Sequence, residues 1–438
     1  MSKPTTPRGT GPALAIPHDE SRGMWHTPVP DAHPAAKLLN AAAVRGRCAA
    51  IMAAAERGDT RHLTWKSERL PAAAAYVADT IRLRYPTLDV PYHSRWRHFE
   101  AGGIDRWGAI AGMLSGDAAE RARTRIDLAI TSVLLDAGAG PAWRFVDAMT
   151  GTTLARSEGL GVASLRLYAG GAFSGRAGAP FEADARALSS LSTATLAKGF
   201  QVSPGNPLVG LEGRAALLRR LGDVASATRA VFGAPARVGN LYDYLVDHAV
   251  DGTISAGFLL ATLLRALGPI WPSRLVLGGV PLGDCWKHPA ARAPDSGDPT
   301  GGLVPFHKLT QWLAYSLLEP LEEAGLVVTG LDQLTGLPEY RNGGLFLDTG
   351  VIAPLDEEFL RRSHAVDDEA IVEWRALTVV GLDRIAVAVR DILGVTAEAF
   401  PLARVLEGGT WAAGRRIAAE RREGGTPPVS VVSDGTVF

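Results

Sequence analysis

Two cysteines in 438 residues, Cys48 and Cys285, are too few for a disulfide framework or an all-cysteine zinc site, and they fit a reducing compartment. The chain has no C-x-x-C and no H-E-x-x-H, and its ten histidines form no H-x-H or H-x-x-x-H pair. The sequence therefore points to no metal site. A glycine-rich dinucleotide fingerprint, a Walker-type lysine loop and a G-x-S-x-G elbow are all missing. An excess of one charge is missing too. The 45 Lys and Arg face 46 Asp and Glu, for a net charge of -1, so the totals show no sign of the basic face of a nucleic-acid binder. No apolar run reaches membrane-spanning length, and the first residues lack a charged-then-apolar signal pattern. The expectation is a cytoplasmic protein with neither nucleic acid nor membrane as partner.

What is present is a globular composition, 47% hydrophobic and 21% charged. Helical periodicity dominates. Helices are expected at 34–58, 70–85, 117–136, from Pro141 onward, 155–171, 180–198, 211–231, 239–250, 255–267, 367–393 and 411–423. VSVV (429–432) is the one convincing strand-like run. The fold class that follows is mainly α, with few short strands. Residues 1–35 read as an N-terminal tail and 36–438 as a single helical domain, a split near 290–302 being the alternative.

The most informative stretch is Val304 to Val351. Apolar residues at Phe306, Leu309, Leu313 and Leu317 have helical spacing, and Gly325 closes the pattern. A polar loop is expected next, carrying Glu339, Tyr340, Arg341, Asn342 and Asp348, with Gly343 and Gly344 between. Paired carboxylates beside cations and aromatics suit cleavage of a glycosidic bond. One carboxylate stabilises a cation-like sugar or prepares water, and the other protonates the leaving group. Glu339 and Asp348 are the candidates. Lys308 and Arg341 can hold a phosphate or sugar hydroxyls, and Tyr340, Trp96, Trp312 or Trp411 can wall the sugar. Arg95, Trp96 and His98 crowd into VPYHSRWRHFE (90–100) as further substrate-binding candidates. Each has a plainer reading. Glu339 and Arg341 suit a helix-end ion pair, Asp348 a turn cap, Trp312 the core, and the SRWRHF group a stacked structural cluster. EGGTWAAGR (407–415) reads either as an anion-binding glycine turn or as a helix start.

VPFHKLTQWLAYSLLEPLEEAG, LTGLPEYRNGGLFLDTGV, VLEGGTWAAGR and the terminal SDGTVF resemble the uracil-catabolism protein family of bacteria and fungi, catalogued as a domain of unknown function. The resemblance runs from about residue 36 to 438. It implies a role in a pyrimidine-degradation route that opens the uracil ring while it is still attached to ribose, leaving a ribosylurea product. The ring-opening enzyme of that route, similar to GTP cyclohydrolase II, is implied as a pathway partner. A shorter likeness, over F-H-K-L-T-Q-W-L (306–313), D-Q-L-T (332–335) and E-Y-R (339–341), is similar to the queuosine-salvage glycosidases. Those have a helical fold related to helix-hairpin-helix DNA glycosylases and cleave an N-ribosyl bond. That likeness implies that Glu339 stands where the family has its catalytic aspartate. It puts Lys308, Tyr340 and Arg341 at matching positions, and His307 in place of an aromatic residue.

Together these lead to an expected N-glycosyl hydrolase that needs no cofactor. It would cleave ribosylurea, or its 5′-phosphate, to urea and ribose or ribose phosphate. Two rivals stay open on the residues alone. One is an amidohydrolase acting on the ureido or amide bond; the other is a non-catalytic binding subunit of the ring-opening enzyme.

Overall fold

Alanine-rich and leucine-rich helices carry the fold in the computed structural model, which describes residues 29–271, 273–292 and 297–432. Helix α1 spans Ala41–Arg57, with the Asn40 side chain accepting the Ala43 amide and Gly58 closing it at φ +79°. The sequence reading started this helix at Pro34. Instead Pro34–Leu38 is a separate 3-10 turn, because Asn40 resets the chain to an extended conformation before it caps α1. Helices α2 (Leu70–Arg84) and α3 (Ala118–Leu134) lie where periodicity puts them. Asp117 caps α3 by accepting the Glu120 amide at 2.8 Å. Helix α4 (Arg156–Ala169) begins after Ala155. Helices α5 (Ala256–Leu267), α6 (Lys308–Glu323), α7 (Tyr340–Asp348), α8 (Glu369–Leu393) and α9 (Trp411–Arg421) complete the frame around the cavity described below.

Helix α6 is the innermost. It packs on α3 and α5, and its apolar stripe and aromatic residues (Leu309, Trp312, Leu313, Tyr315, Leu317) are all buried. Burial on most of its circumference is what a core helix requires. It ends at Glu323, two residues before Gly325, which adopts φ +92°, a conformation that suits glycine. Helix α8 packs on α1, α2 and α7, and α7 in turn packs on α9. Buried residues from Val29 to Val429 form one contiguous hydrophobic cluster.

Two sequence expectations fail for physical reasons. No helix follows Pro141; Phe145–Asp147 and Thr152–Leu154 pair antiparallel around a turn that Gly151 makes at φ +70°. The expected polar loop over 340–348 is helix α7, with Leu345 and Phe346 buried. Gly343 serves close packing there, since a Cβ would lie 2.7 Å from the Trp374 indole. The strand expected at 429–432 is present as Ser430–Val432, paired parallel with Ser363–Ala365. Other strands, such as Leu63–Trp65 with Ile352–Pro354 and Cys285–Lys287 with Leu303–Pro305, are three-residue pairs. Such pairs are too short to show alternation in sequence. Most of the N-terminal tail and all of SDGTVF lie outside the described residues. Among the described residues no helix is long and apolar enough to cross a membrane.

Candidate active site

The N-termini of α6, α7 and α9 converge with the 93–98 segment and the 136–141 turn around a cavity of about 270 Å³. Glu339 sits in its wall as the N-cap of α7. Its Oε2 accepts the Arg341 amide at 2.7 Å and its Oε1 the Asn342 amide at 2.6 Å. A carboxylate has about four acceptor sites, so two amides fix the group in place and two sites remain for a ligand.

Lys308 enters from the first turn of α6. Its backbone N–H donates to Asp284 Oδ2 at 3.0 Å, and Arg375 clasps both oxygens of the same Asp284 at 2.7 Å. Burial pushes the Asp284 carboxyl up, but the Arg375 guanidinium overcomes this and leaves it below the ordinary carboxylate value. A buried ion pair thus anchors the start of the helix that presents the lysine. Burial lowers the Lys308 ammonium from the usual lysine value, and Glu339 and Asp136 oppose that shift from the same cavity.

Besides Tyr340, two histidine rings and two indoles line the cavity. His93 lies 6.3 Å from Trp312 and 5.7 Å from Trp411 between centroids, and His98 lies 5.5 Å and 6.3 Å from the same two indoles. The two histidines are held differently. Arg95 Nη1 is 2.9 Å from His98 Nδ1, and a guanidinium can only donate, so Nδ1 accepts and Nε2 carries the proton. Burial, with the Arg95 cation beside it, keeps His98 well below the ordinary histidine value. His98 is therefore a neutral N–H donor. His93 Nδ1 is 2.7 Å from Glu407 Oε2, both residues buried. That carboxylate orients the ring and leaves Nε2 as the atom able to give or take a proton. Glu407 comes from a π-helical turn, Val405–Thr410, leading into α9; such turns recur at functional sites.

Of the residues expected from sequence, Glu339, Lys308, Tyr340, Arg341, His98 and Trp411 all line this one cavity. Four others do not. Asp348 is at the far end of α7, roughly 14 Å from Glu339 at the helical rise per residue, and both its oxygens are taken by Arg422. His307 is turned away, with Nε2 3.0 Å from the Leu38 carbonyl. The Trp96 indole donates to Ser316 O at 2.9 Å and meets Phe99 and Trp107 edge to face. Arg95 lies behind the wall, bonded to Ser132, Asp136 and His98. It positions His98 and Asp136 rather than meeting a ligand. EGGTW is no anion turn either, because Gly408 packs on Val90 and Gly409 on Val77.

Sequence reasoning missed His93, Asp136, Arg156 and Glu407 as site residues. Each stood in a stretch noticed for other reasons: the 90–100 cluster, the end of the helix expected at 117–136, the start of the one expected at 155–171 and the EGGTW motif. Trp312, read mainly as core, is only 4% exposed yet lines the cavity, and its Nε1–H has no partner among the described residues.

The described residues bring the donor atoms of His62, Glu369 and Glu373 within 4.8 Å of one another, outside this cavity. The oxygens of Glu373 already accept the amides of Arg61, His62 and Leu63, an arrangement that anchors a strand.

Fold and site together define a mainly α protein with a polar, aromatic-walled pocket built on helix N-termini. Residues 37–438 match the family described as "Protein of unknown function (DUF1688)", and the chain belongs to it. It is 37% identical over 418 residues to "Protein urg3" of Schizosaccharomyces pombe, covering 92% of this chain and 98% of that protein. It is likewise 37% identical over 411 residues to "Uracil catabolism protein 4" of Lachancea kluyveri, covering 87% of this chain and 93% of that protein.

Proposed function

We propose that this protein acts in uracil catabolism as an N-ribosyl hydrolase that releases urea from ribosylurea, free or 5′-phosphorylated. The name of the Lachancea kluyveri relative supports the pathway. The observation that carries the chemistry is the pairing, across one cavity, of an amide-anchored carboxylate with a carboxylate-oriented histidine. The carboxylate can steady a cation-like sugar or prepare water, and the histidine can serve as the general acid that glycosidic cleavage calls for.

In this reading the C1′–N bond breaks as water adds to C1′. Glu339 stabilises the cation-like sugar and takes the proton of the attacking water. His93 Nε2 gives a proton to the departing urea nitrogen, the role that sequence assigned to Asp348. Urea is a poor leaving group, so that proton matters. Lys308 and Asp136 hold ribose hydroxyls, the His98 Nε2–H donates to the urea carbonyl, and Trp312 and Trp411 exclude water from the sugar faces. Water is the only co-reactant.

The test is to incubate the purified protein and Glu339→Gln with ribosylurea and with its 5′-phosphate, measuring urea and reducing sugar together. Equal release of both, reduced about 100-fold or more in the variant, is the expected result. Ligand bound but unchanged by the wild type would move the assignment to a binding subunit, and ammonia without reducing sugar would move it to an amidohydrolase.

A further inference from the structure

A second cavity, of about 460 Å³, adjoins the first and shares Arg156, Arg341 and Gly425 with it as wall. Five arginines line it (Arg156, Arg341, Arg415, Arg421 and Arg422) against two glutamates. Three of these seven charges are already matched. Arg415 pairs with Glu158, Arg422 with Asp348, and Glu420 with Arg416. Arg156 and Arg341 are not. Among the described residues neither has a carboxylate partner. Instead each is steered by a neutral backbone carbonyl, Arg156 Nη2 by Gly424 O at 3.2 Å and Arg341 Nη1 by Gly425 O at 2.8 Å. A carbonyl fixes direction without cancelling charge, so two oriented guanidinium groups stand with unspent donors where the two cavities meet.

Two further observations bear on this boundary. Arg156 adopts φ +54°, in the left-handed region that a non-glycine residue keeps only where surrounding structure demands it. Burial lowers the Arg341 guanidinium from its usual value; Tyr340 and Glu339 oppose that shift, and the nearby cations Arg415 and Arg156 add to it. Guanidinium groups that share a wall without a salt bridge of their own are relieved by a dianion, and guanidinium forks match phosphate oxygens bidentately.

We propose that the boundary between the two cavities is a phosphate-monoester subsite formed by Arg156 and Arg341, so that the substrate is a 5′-phosphorylated ribosyl compound. The subsite lies beside Glu339, since Arg341 follows it by two residues and donates its own amide to it. A phosphate held there would leave C1′ and the bond to be cleaved in the first cavity. This identification of the substrate class rests on the N-ribosyl reading above.

The experiment is calorimetric binding of ribose 5-phosphate, ribose and inorganic phosphate to the full chain, to Arg156→Gln and to Arg341→Gln. Arg156 is exposed, so its variant keeps the fold, and circular dichroism checks the second. The expected result is ribose 5-phosphate binding at least tenfold more tightly than ribose. Each substitution should remove most of that difference while leaving ribose unchanged. Equal affinity for the two sugars, or variants that weaken ribose as much as its phosphate, would overturn the subsite. The binding readout is independent of turnover. A protein that selects ribose 5-phosphate but releases no urea keeps the subsite and loses the hydrolase reading, and a protein that cleaves ribosylurea without that selection does the reverse.

Discussion

Glu407 and His93 meet at 2.7 Å across 314 positions of chain, and both are buried. The pair makes the ring nitrogen opposite the contact the natural proton carrier of the cavity. His93→Asn is expected to lower kcat by about 10²–10⁴, the usual contribution of a positioned proton donor. Glu407→Gln keeps a hydrogen-bonding partner for the ring but removes the charge. Its expected effect is a loss of kcat smaller than that of His93→Asn with KM unchanged. A purely structural role for Glu407 would instead lower the thermal midpoint and leave kcat per folded molecule unaltered, and steady-state kinetics with thermal unfolding of the three proteins decide the matter.

Asp348 is expected to be a fold residue. Asp348→Asn breaks its two-pronged pair with the partly exposed Arg422, and a loss of about 2 kcal/mol is expected from the hydrogen bonds to charge. Thermal unfolding should show a lowered midpoint, with kcat per folded molecule falling far less than for Glu339→Gln. An unchanged midpoint with urea release abolished would return Asp348 to the chemistry.

His98 and His307 are both held neutral by burial, below the ordinary histidine value. The unfolded chain protonates both near pH 6.5, whereas the folded chain does not. Stability from this source is therefore complete above about pH 6.5 and declines as pH falls below it, by up to about 1.4 kcal/mol per pH unit for each histidine. Denaturant unfolding at pH 7, 6 and 5 should show the decline. His307→Asn, which suits the φ of +50° at that position, should be less stable at pH 7 for want of the bond to Leu38 O, and less sensitive to pH. An unaltered pH slope in the variant would mean that His307 already titrates normally in the fold.

The sequence made the helices legible because their signals are local. Asp117 caps α3, Gly325 ends α6, and the leucines of α6 repeat at helical spacing. It also made legible the half of the site that one short stretch contains, from Lys308 to Arg341. The other half was not, because its meaning is relational. His93 is ordinary until Glu407 reaches it, and Arg156 looks like any surface arginine until Gly424 and Arg341 stand beside it. The error over Asp348 has the same root. Nine positions with two glycines suggest a bend that would bring two carboxylates together, but Gly343 is there to admit Trp374, so the segment stays helical and carries Asp348 away.

The cavity wall is drawn from segments as far apart as His93 and Pro427, and no two neighbouring elements enclose it. A chain folded over only one half lacks part of this wall. A ligand that needs the whole wall therefore stabilises only the fully assembled state, and its binding marks completed folding.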